Sequence, residues 1–419
     1  MDKIRIRGGQ SLKGTVRVSG SKNAALPILI SSLLADGVCR FQRVPQLQDI
    51  RTTLGLLSHL GIQINSRLEE NFLEMDARQV QSYEAPYDLV RKMRASVVVL
   101  GPLLARFGKA KVSLPGGCAI GARPINYHLT GLEKLGAKID LQEGYVLASA
   151  KKLRGNRVAF EFPSVGATEN IMMAATLAEG ESILENCARE PEIIDLAVAL
   201  RAMGAEIEGE GTEVIRIQGK TNLHGCEHSI IGDRIEAGTF LAAGLMTGGA
   251  VRVEGIRSEM IESVLVKFED AGAKIVRGSD FVSIAQGTGR PRSTDVTTLP
   301  YPAFPTDMQA QFMSVMTVAD GASLITETIF ENRFMHVPEL VRLGADITIK
   351  GHTAWVKGQE SLNGAQVMAT DLRASASLIL AGLRARGETV INRIYHLDRG
   401  YEKMEEKLKK LGADIERMA

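Results

Sequence analysis

Apolar and polar residues follow one order again and again along this chain: an apolar helix, a glycine, a β-branched strand, an amphipathic helix, a second glycine and paired strands. The apolar helices include Ala24 to Ala35 and Ile171 to Ala178. They stop at Asp36-Gly37, Phe107-Gly108, Glu179-Gly180, Gly248-Gly249, Asp320-Gly321 and Arg386-Gly387. Strands such as Val251-Arg252-Val253 and Thr389-Val390-Ile391 follow. The amphipathic helices close on Leu60-Gly61, Leu135-Gly136, Met203-Gly204, Ala271-Gly272, Leu343-Gly344 and Leu411-Gly412. These last six glycines lie 68 to 75 residues apart, a period that outweighs any local propensity. Each is placed to end a helix in the left-handed conformation that side chains disfavour.

One unit thus reads helix, strand, helix, strand, strand. The strand–helix–strand crossover calls for parallel pairing and the last two strands for a hairpin, which makes the fold α/β. At 419 residues the chain exceeds one ordinary core, so the six units are expected to group three and three. The boundary is placed near residue 230, after the connector Leu223-His224-Gly225-Cys226. One domain is then 22–229 and the other 1–21 plus 230–419. The latter borrows the N-terminal strand, Ile4 to Val18, which has no unit of its own in the first half.

Composition narrows the function. A hydrophobic fraction of 45% with 24% charged residues describes a globular chain. Its formal net charge of +1 leaves no basic surplus for nucleic acid. The N-terminus has no apolar core of signal-peptide length, and no apolar run approaches the ~20 residues that span a bilayer. Four cysteines, Cys39, Cys118, Cys187 and Cys226, are widely spaced without a CxxC. They read as reduced thiols of a cytoplasmic protein, neither a disulfide framework nor a zinc site. HExxH, P-loop and GxGxxG-after-strand patterns are absent from the sequence.

Two features exceed what a structural repeat needs. The first helices open on polar residues: Ser21-Lys22-Asn23, Met93-Arg94-Ala95-Ser96, Ser164-Val165-Gly166-Ala167-Thr168, Thr306-Asp307 and Thr370-Asp371-Leu372-Arg373. Helix N-termini suit phosphates and carboxylates, and related repeats are expected to bring several to the cleft between the domains. For a lone Asp307 or Asp371 a plain N-cap is the competing explanation, and for Arg94, Arg333 and Arg399 a salt bridge. The second feature is a length anomaly. From helix stop to glycine the second repeat takes 28 residues where the others take 23 to 25. The surplus falls in Pro115-Gly116-Gly117-Cys118-Ala119-Ile120-Gly121-Ala122-Arg123-Pro124. Cations from Arg123 and Arg94 near Cys118 would favour its thiolate. Cys39, Cys187 and Cys226 read instead as buried small hydrophobes.

With these segments in view the chain resembles the enolpyruvyl transferases, and among them the UDP-N-acetylglucosamine 1-carboxyvinyltransferases. The resemblance rests on Ser21 to Pro27, the Cys118 loop, Ser164 to Thr168, Phe304 to Gln311, Glu331 to His336 and Ala369 to Ser375, and it spans essentially the whole chain. It implies two inside-out α/β domains closing over phosphoenolpyruvate and UDP-N-acetylglucosamine, without a metal or other cofactor, in a monomer. It implies the first committed step of peptidoglycan synthesis. Carried over by position, Lys22 and Asn23 would hold phosphoenolpyruvate, with Arg94, Arg123 and Arg399 completing the anion site. Cys118 would donate a proton to the methylene carbon and can form an adduct with the pyruvyl unit, which makes fosfomycin an expected inhibitor. Asp307 would accept the proton of the sugar hydroxyl. Arg123, Pro124, Ile125, Asn126 and Tyr127, with Ser164, Val165, Gly166 and Ile329, would bind the UDP-sugar. Arg333 would join the substrate contacts, and Asp371 and Arg373 would support the closed site.

The chain departs from some family members at Gln48 and Phe162, where others carry lysines, and at Asn126-Tyr127, where others carry Asp-Leu. Three alternatives compete: a shikimate-type acceptor, an RNA 3′-phosphate cyclase on the same scaffold, and a silent paralogue that only binds UDP-sugar. The cysteine loop opposes the first. Balanced charge and the lack of a nucleotidylation signature oppose the second. The joint presence of Lys22, Cys118, Asp307 and Arg399 opposes the third.

Overall fold

Helices that are apolar on every side must be surrounded by protein. All of Arg234–Met246 and all of Gln309–Met316 are buried, as is Leu372–Arg384 from Arg373 to Leu383. Lys22–Ser31 is buried from Ala24 onward and Val165–Ala175 from Ala167 onward. The strands alternate instead: Lys3–Arg7 buries Ile4 and Ile6 and turns Lys3 and Arg7 to solvent. Sheets with one wet face around helices with none give an inside-out α/β arrangement.

The computed structural model describes residues 2–91, 93–114, 125–287 and 289–418. The described residues of 20–231 form one compact unit, and 2–19 with 232–418 form another. Each unit carries three four-stranded sheets. In the first unit the helices Lys22–Ser31, Leu100–Phe107 and Val165–Ala175 pack together, and in the second Arg234–Met246, Gln309–Met316 and Leu372–Arg384 do so. Among the described residues no helix is long and apolar enough to cross a membrane.

The six periodic glycines, at 61, 136, 204, 272, 344 and 412, all have φ between 92° and 106°. A side chain there would be strained, so the sequence period is a period of helix terminators.

The repeat also holds a strand that the hydrophobic pattern does not show. A short strand precedes each of the buried helices Leu100–Phe107, Val165–Ala175, Gln309–Met316 and Leu372–Arg384 and pairs parallel with the strand that follows it. Glu84–Ala85 thus joins Lys109–Ser113, Arg157–Ala159 joins Glu181–Glu185, and Val296–Thr297 joins Ala322–Thr326. For Lys22–Ser31 and Arg234–Met246 the leading strands are exchanged, Lys13–Arg17 pairing with Ala250–Glu254 and Glu227–Ser229 with Val38–Gln42. The unit is therefore strand, helix, strand, helix, strand, strand. The expected single strand from Ile4 to Val18 is in fact two. Lys3–Arg7 pairs antiparallel with Asp414–Met418, while Lys13–Arg17 pairs parallel with Ala250–Glu254. Gly8 and Gly9 make the break: a Cβ on Gly8 would sit 2.3 Å from the Ala385 carbonyl oxygen, and Gly9 has φ 94°. The first helix likewise stops at Ser31 and continues as a 3-10 turn, Ser32–Leu34.

Candidate active site

In the unit containing 232–418, Pro305 leads the chain into a 3-10 turn, Thr306–Met308, that runs directly into a buried helix. Asp307 is held at that entry by two guanidiniums. Arg333 Nη2 donates to Oδ1 and Arg373 Nη2 to Oδ2, both at 2.7 Å. Each arginine side chain is 4% exposed and the Asp307 side chain 27%, so the two arginines grip Asp307 from the protein side. A carboxylate has about four lone-pair sites and can serve several donors at once.

Behind the clamp lies a buried polar network. Arg373 Nη1 donates to Tyr401 Oη at 3.4 Å, and Tyr401 Oη lies 2.9 Å from Thr239 Oγ1. Gln311 Nε2 reaches Tyr401 at 3.1 Å, Thr239 at 3.2 Å and the Asp307 carbonyl at 2.9 Å. Burial works against the Arg373 charge, but Asp307 together with Tyr401 and Asp233 holds its pKa above the ordinary arginine value. Burial raises the Tyr401 phenol, against the pull of Arg373. The guanidinium stays charged and cannot swing away.

The loop leading to Arg333 is anchored by a carboxylate that sequence reasoning passed over. Buried Glu327 accepts from Thr298 Oγ1 and Thr306 Oγ1, both at 2.9 Å, and from the backbone N–H groups of Ile329 at 2.8 Å and Phe330 at 3.2 Å. It ties the loop bearing Ile329 and Arg333 to the residue before Asp307. The one sequence signal was a charge inside the run Leu324-Ile325-Thr326-Glu327-Thr328-Ile329. Asp371 caps the helix Leu372–Arg384, accepting from the N–H groups of Arg373 and Ala374. Arg399, half-buried, ends the 3-10 turn Ile394–Arg399, and its charge acts on His396.

His336, 1% exposed, follows this loop and stands in the fields of Asp371 and Arg333. Burial, reinforced by Arg333 and opposed by Asp371, lowers its pKa to about 4. His396 is lowered too, by burial and then by Arg399 and Arg393 against Asp371. The unfolded chain therefore takes up a proton below pH ~6.5 that folded His336 refuses until pH falls to about 4. Stability should fall as pH drops through this window, by roughly 3 kcal/mol at most from this residue. Urea unfolding of the native chain and His336→Gln at pH 7.5 and 5 should show a shallower pH dependence in the variant. Identical slopes would remove His336 as the source.

The other unit carries the remaining candidates. Ser21 caps its helix by accepting from Ala24 N–H, and Lys22 Nζ lies 3.6 Å from Asp49 Oδ2, so a buried carboxylate aims the lysine. Asn23 is half-buried beside it, and Arg94 opens the 3-10 turn Arg94–Val99. Ser164 accepts from Ala167 N–H at 3.4 Å at the start of Val165–Ala175. A Cβ on Gly166 would lie 3.4 Å from His128 Cε1, so the Ser164-Val165-Gly166 turn rests against that ring. His128 Nδ1 is 3.1 Å from Asn170 Nδ2, and Asn170 Oδ1 accepts from Gly101 N–H at 2.8 Å. His128 and Asn170 thereby bring Ile125, Asn126 and Tyr127, at the start of Asn126–Lys134, to the Ser164–Gly166 turn. Gln48 and Phe162 are exposed. Cys118, Arg123 and Pro124 lie outside the described residues, as does the side chain of Arg94. Among the described residues no group of three or more His, Cys, Asp or Glu is arranged to hold a metal ion.

Known proteins match this chain along its whole length. The family model described as EPSP synthase (3-phosphoshikimate 1-carboxyvinyltransferase) matches residues 6–408. A UDP-N-acetylglucosamine 1-carboxyvinyltransferase from Geobacter metallireducens is 58% identical over 418 residues, covering 100% of both chains. One from Nitratidesulfovibrio vulgaris is 58% identical over 419 residues with the same coverage. Among solved structures, the enolpyruvyl transferase NikO from Streptomyces tendae superposes with a TM-score of 0.89 at 26% identity, over 100% of this chain and 99% of that one. EPSP synthase from Acinetobacter baumannii, at 18% identity and a TM-score of 0.77 over 100% of both chains, shares the fold. End-to-end identity of this degree shows that the chain belongs to the EPSP synthase family of enolpyruvyl transferases, among its UDP-N-acetylglucosamine 1-carboxyvinyltransferases.

Proposed function

We propose that this chain transfers the carboxyvinyl group of phosphoenolpyruvate to the 3-hydroxyl of UDP-N-acetylglucosamine, releasing phosphate, as the first committed step of peptidoglycan synthesis. The observation that carries the reading is 58% identity, end to end, to carboxyvinyltransferases of that acceptor. A monomeric enzyme of the cytoplasm belongs to the same proposal.

The reaction adds an alcohol across an enol ester and then eliminates phosphate. The sugar oxygen bonds to C2 of phosphoenolpyruvate while its proton passes to Asp307, and Cys118 delivers a proton to the methylene carbon, making it a methyl. A proton then returns from that methyl to the Cys118 thiolate, the C–H electron pair re-forms the carbon–carbon double bond, and the C2–O bond breaks as phosphate leaves with its electron pair. The clamp on Asp307 supports its part: the carboxylate is pre-oriented, so little reorganisation is needed when the hydroxyl arrives. Lys22, Asn23, Arg94, Arg123 and Arg399 bind the phosphate and carboxylate of phosphoenolpyruvate. Pro124, Ile125, Asn126 and Tyr127, with Arg123, Ser164, Val165, Gly166 and Ile329, bind the UDP-sugar. The positive end of the helix Val165–Ala175 suits its diphosphate. Arg333, Arg373 and Asp371 keep the base in place.

The test is phosphate release from the purified chain. Release should require both phosphoenolpyruvate and UDP-N-acetylglucosamine, and shikimate 3-phosphate should not replace the sugar nucleotide. Release with the shikimate ester, or none with the sugar nucleotide, would overturn the assignment. The cations should divide by ligand. Lys22→Ala and Arg399→Ala should weaken phosphoenolpyruvate use on the order of ten- to a hundredfold, the worth of a charge-assisted bond at about 1.5–3 kcal/mol. UDP-sugar affinity by calorimetry should change little; loss of the sugar nucleotide with phosphoenolpyruvate retained would reverse the placement.

A further inference from the structure

Cys39 and Cys226 lie far apart in sequence and side by side in the fold. The segment 223–229 runs parallel to 35–42, with Leu223 opposite Ala35, His224 opposite Asp36 and Glu227 opposite Arg40. Contact between the two is close where the glycines fall: a Cβ on Gly225 would lie 2.1 Å from the Val38 carbonyl oxygen, and one on Gly37 2.9 Å from Gly225 N. Arg40 N–H donates to the Cys226 carbonyl at 2.7 Å. One step back in this register Cys226 faces Cys39. Adjacent strands are spaced about 4.8 Å apart, within the Cα separation of roughly 4.4–6.8 Å that a disulfide tolerates.

Both side chains point inward, since Cys39 and Cys226 are buried while the next residues, Arg40 and Glu227, turn to solvent, and the two thiols hydrogen-bond to each other. The pair is electrostatically unequal. The bond from Cys226 lowers the Cys39 pKa, burial opposes it, and the charge of Arg106 assists. Arg106 is fixed nearby by donating to the carbonyls of Leu33 at 2.9 Å and Ala77 at 3.2 Å. Cys226 is pushed up by the same bond and by burial. Cys187, buried without such help, is raised to about 12 and should be inert.

We propose that Cys39 and Cys226 form a reversible thiol–disulfide site whose oxidation fastens the returning strand Glu227–Ser229 to the first repeat. With a peroxide as oxidant, the Cys39 thiolate attacks one oxygen. An S–O bond forms, the O–O bond breaks, and the departing oxygen leaves as water after taking up a proton. The Cys226 sulfur then attacks the sulfenic sulfur. The S–S bond forms, the S–O bond breaks, and a second water carries off the Cys226 proton. Two thiols lose two electrons and the peroxide gains them. Cys39 is fully buried, so the oxidant reaches it past Cys226, 6% exposed, when the three-residue edge strand Glu227–Ser229 opens.

The full-length native chain is treated with hydrogen peroxide, and separately equilibrated with oxidised dithiothreitol. Remaining thiols are alkylated after unfolding and the digest is mapped by mass spectrometry. A peptide linking Cys39 to Cys226 is expected, with Cys187 recovered alkylated, and reduction should dissolve the link. The oxidised chain should unfold at a higher temperature than the reduced one, since the link closes a long loop. In Cys226→Ser the peroxide should leave a sulfenic acid on Cys39 that dimedone traps. Recovery of both cysteines as alkylated thiols from fully oxidised native protein, or pairing of either with Cys118 or Cys187 instead, would overturn the proposal.

Discussion

Asp307→Asn should lower the rate of phosphate release by about 10²–10⁴-fold, the usual worth of a positioned general base. The substitution preserves shape, so the loss falls on kcat, with little change in UDP-sugar affinity. It also reaches into the fold. An amide can accept from one guanidinium through its oxygen but turns N–H donors toward the other, where Arg333 and Arg373 now each find an oxygen at 2.7 Å. Breaking a buried ion pair from one side costs roughly 3–5 kcal/mol, and the partial exposure of Asp307 puts this one near the lower figure. The two effects separate in a double variant. Asp307→Asn with Arg333→Gln removes one of the stranded charges, so urea unfolding should recover part of the stability while turnover stays low. Recovery of turnover along with stability would mean that Asp307 serves as an anchor for the arginines and not as a base.

How much of this could be read without coordinates depends on the scale of the signal. A terminator glycine recurs six times and announces itself, and all six have the left-handed φ that the reading requires. The short leading strands do not. Glu84–Ala85 and Val296–Thr297 have two residues each, too few to alternate, and only their parallel neighbours make them strands. The polar residues divide in the same way. Asp307, Arg333 and Arg373 each stand out as charges near apolar helices, but nothing in the sequence says that they share one salt bridge, because their contact is made by folding and not by spacing. Their supports were invisible for the same reason. Tyr401, Gln311 and Thr239 come from separate elements and meet only behind Arg373, and Glu327 finds Thr298 and Thr306 only through the fold. Asp49 looks like an ordinary first-turn carboxylate until Lys22 is found 3.6 Å away. Cys39 and Cys226 pass as two small hydrophobes until the strands carrying them pair.

Cys118→Ser should be nearly inactive, while Cys118→Asp should turn over with a shifted pH profile. The comparison isolates acidity from size. A free thiol ionises near pH ~8.5 and an aspartic acid near ~3.9, both within reach of a cationic site, whereas a serine hydroxyl is far too weak an acid to give a proton to carbon. On the proposed reading, Arg94 and Arg123 would favour the thiolate and make Cys118 a nucleophile toward an epoxide. On the same reading, bound phosphoenolpyruvate would bring negative charge and return the proton to sulfur, where the reaction needs it. The native chain should therefore be inactivated by fosfomycin, and Cys118→Asp should be indifferent to it while remaining active. The other cysteines are controlled by the aspartate variant, which keeps Cys39, Cys187 and Cys226 in place: any inactivation through them would appear in Cys118→Asp as well. The measurement is phosphate release by the three proteins from acid to alkaline pH, with and without the epoxide. Turnover by the serine variant would take Cys118 out of the proton transfer. Resistance of the native chain to fosfomycin would take its thiol out of the reactive site.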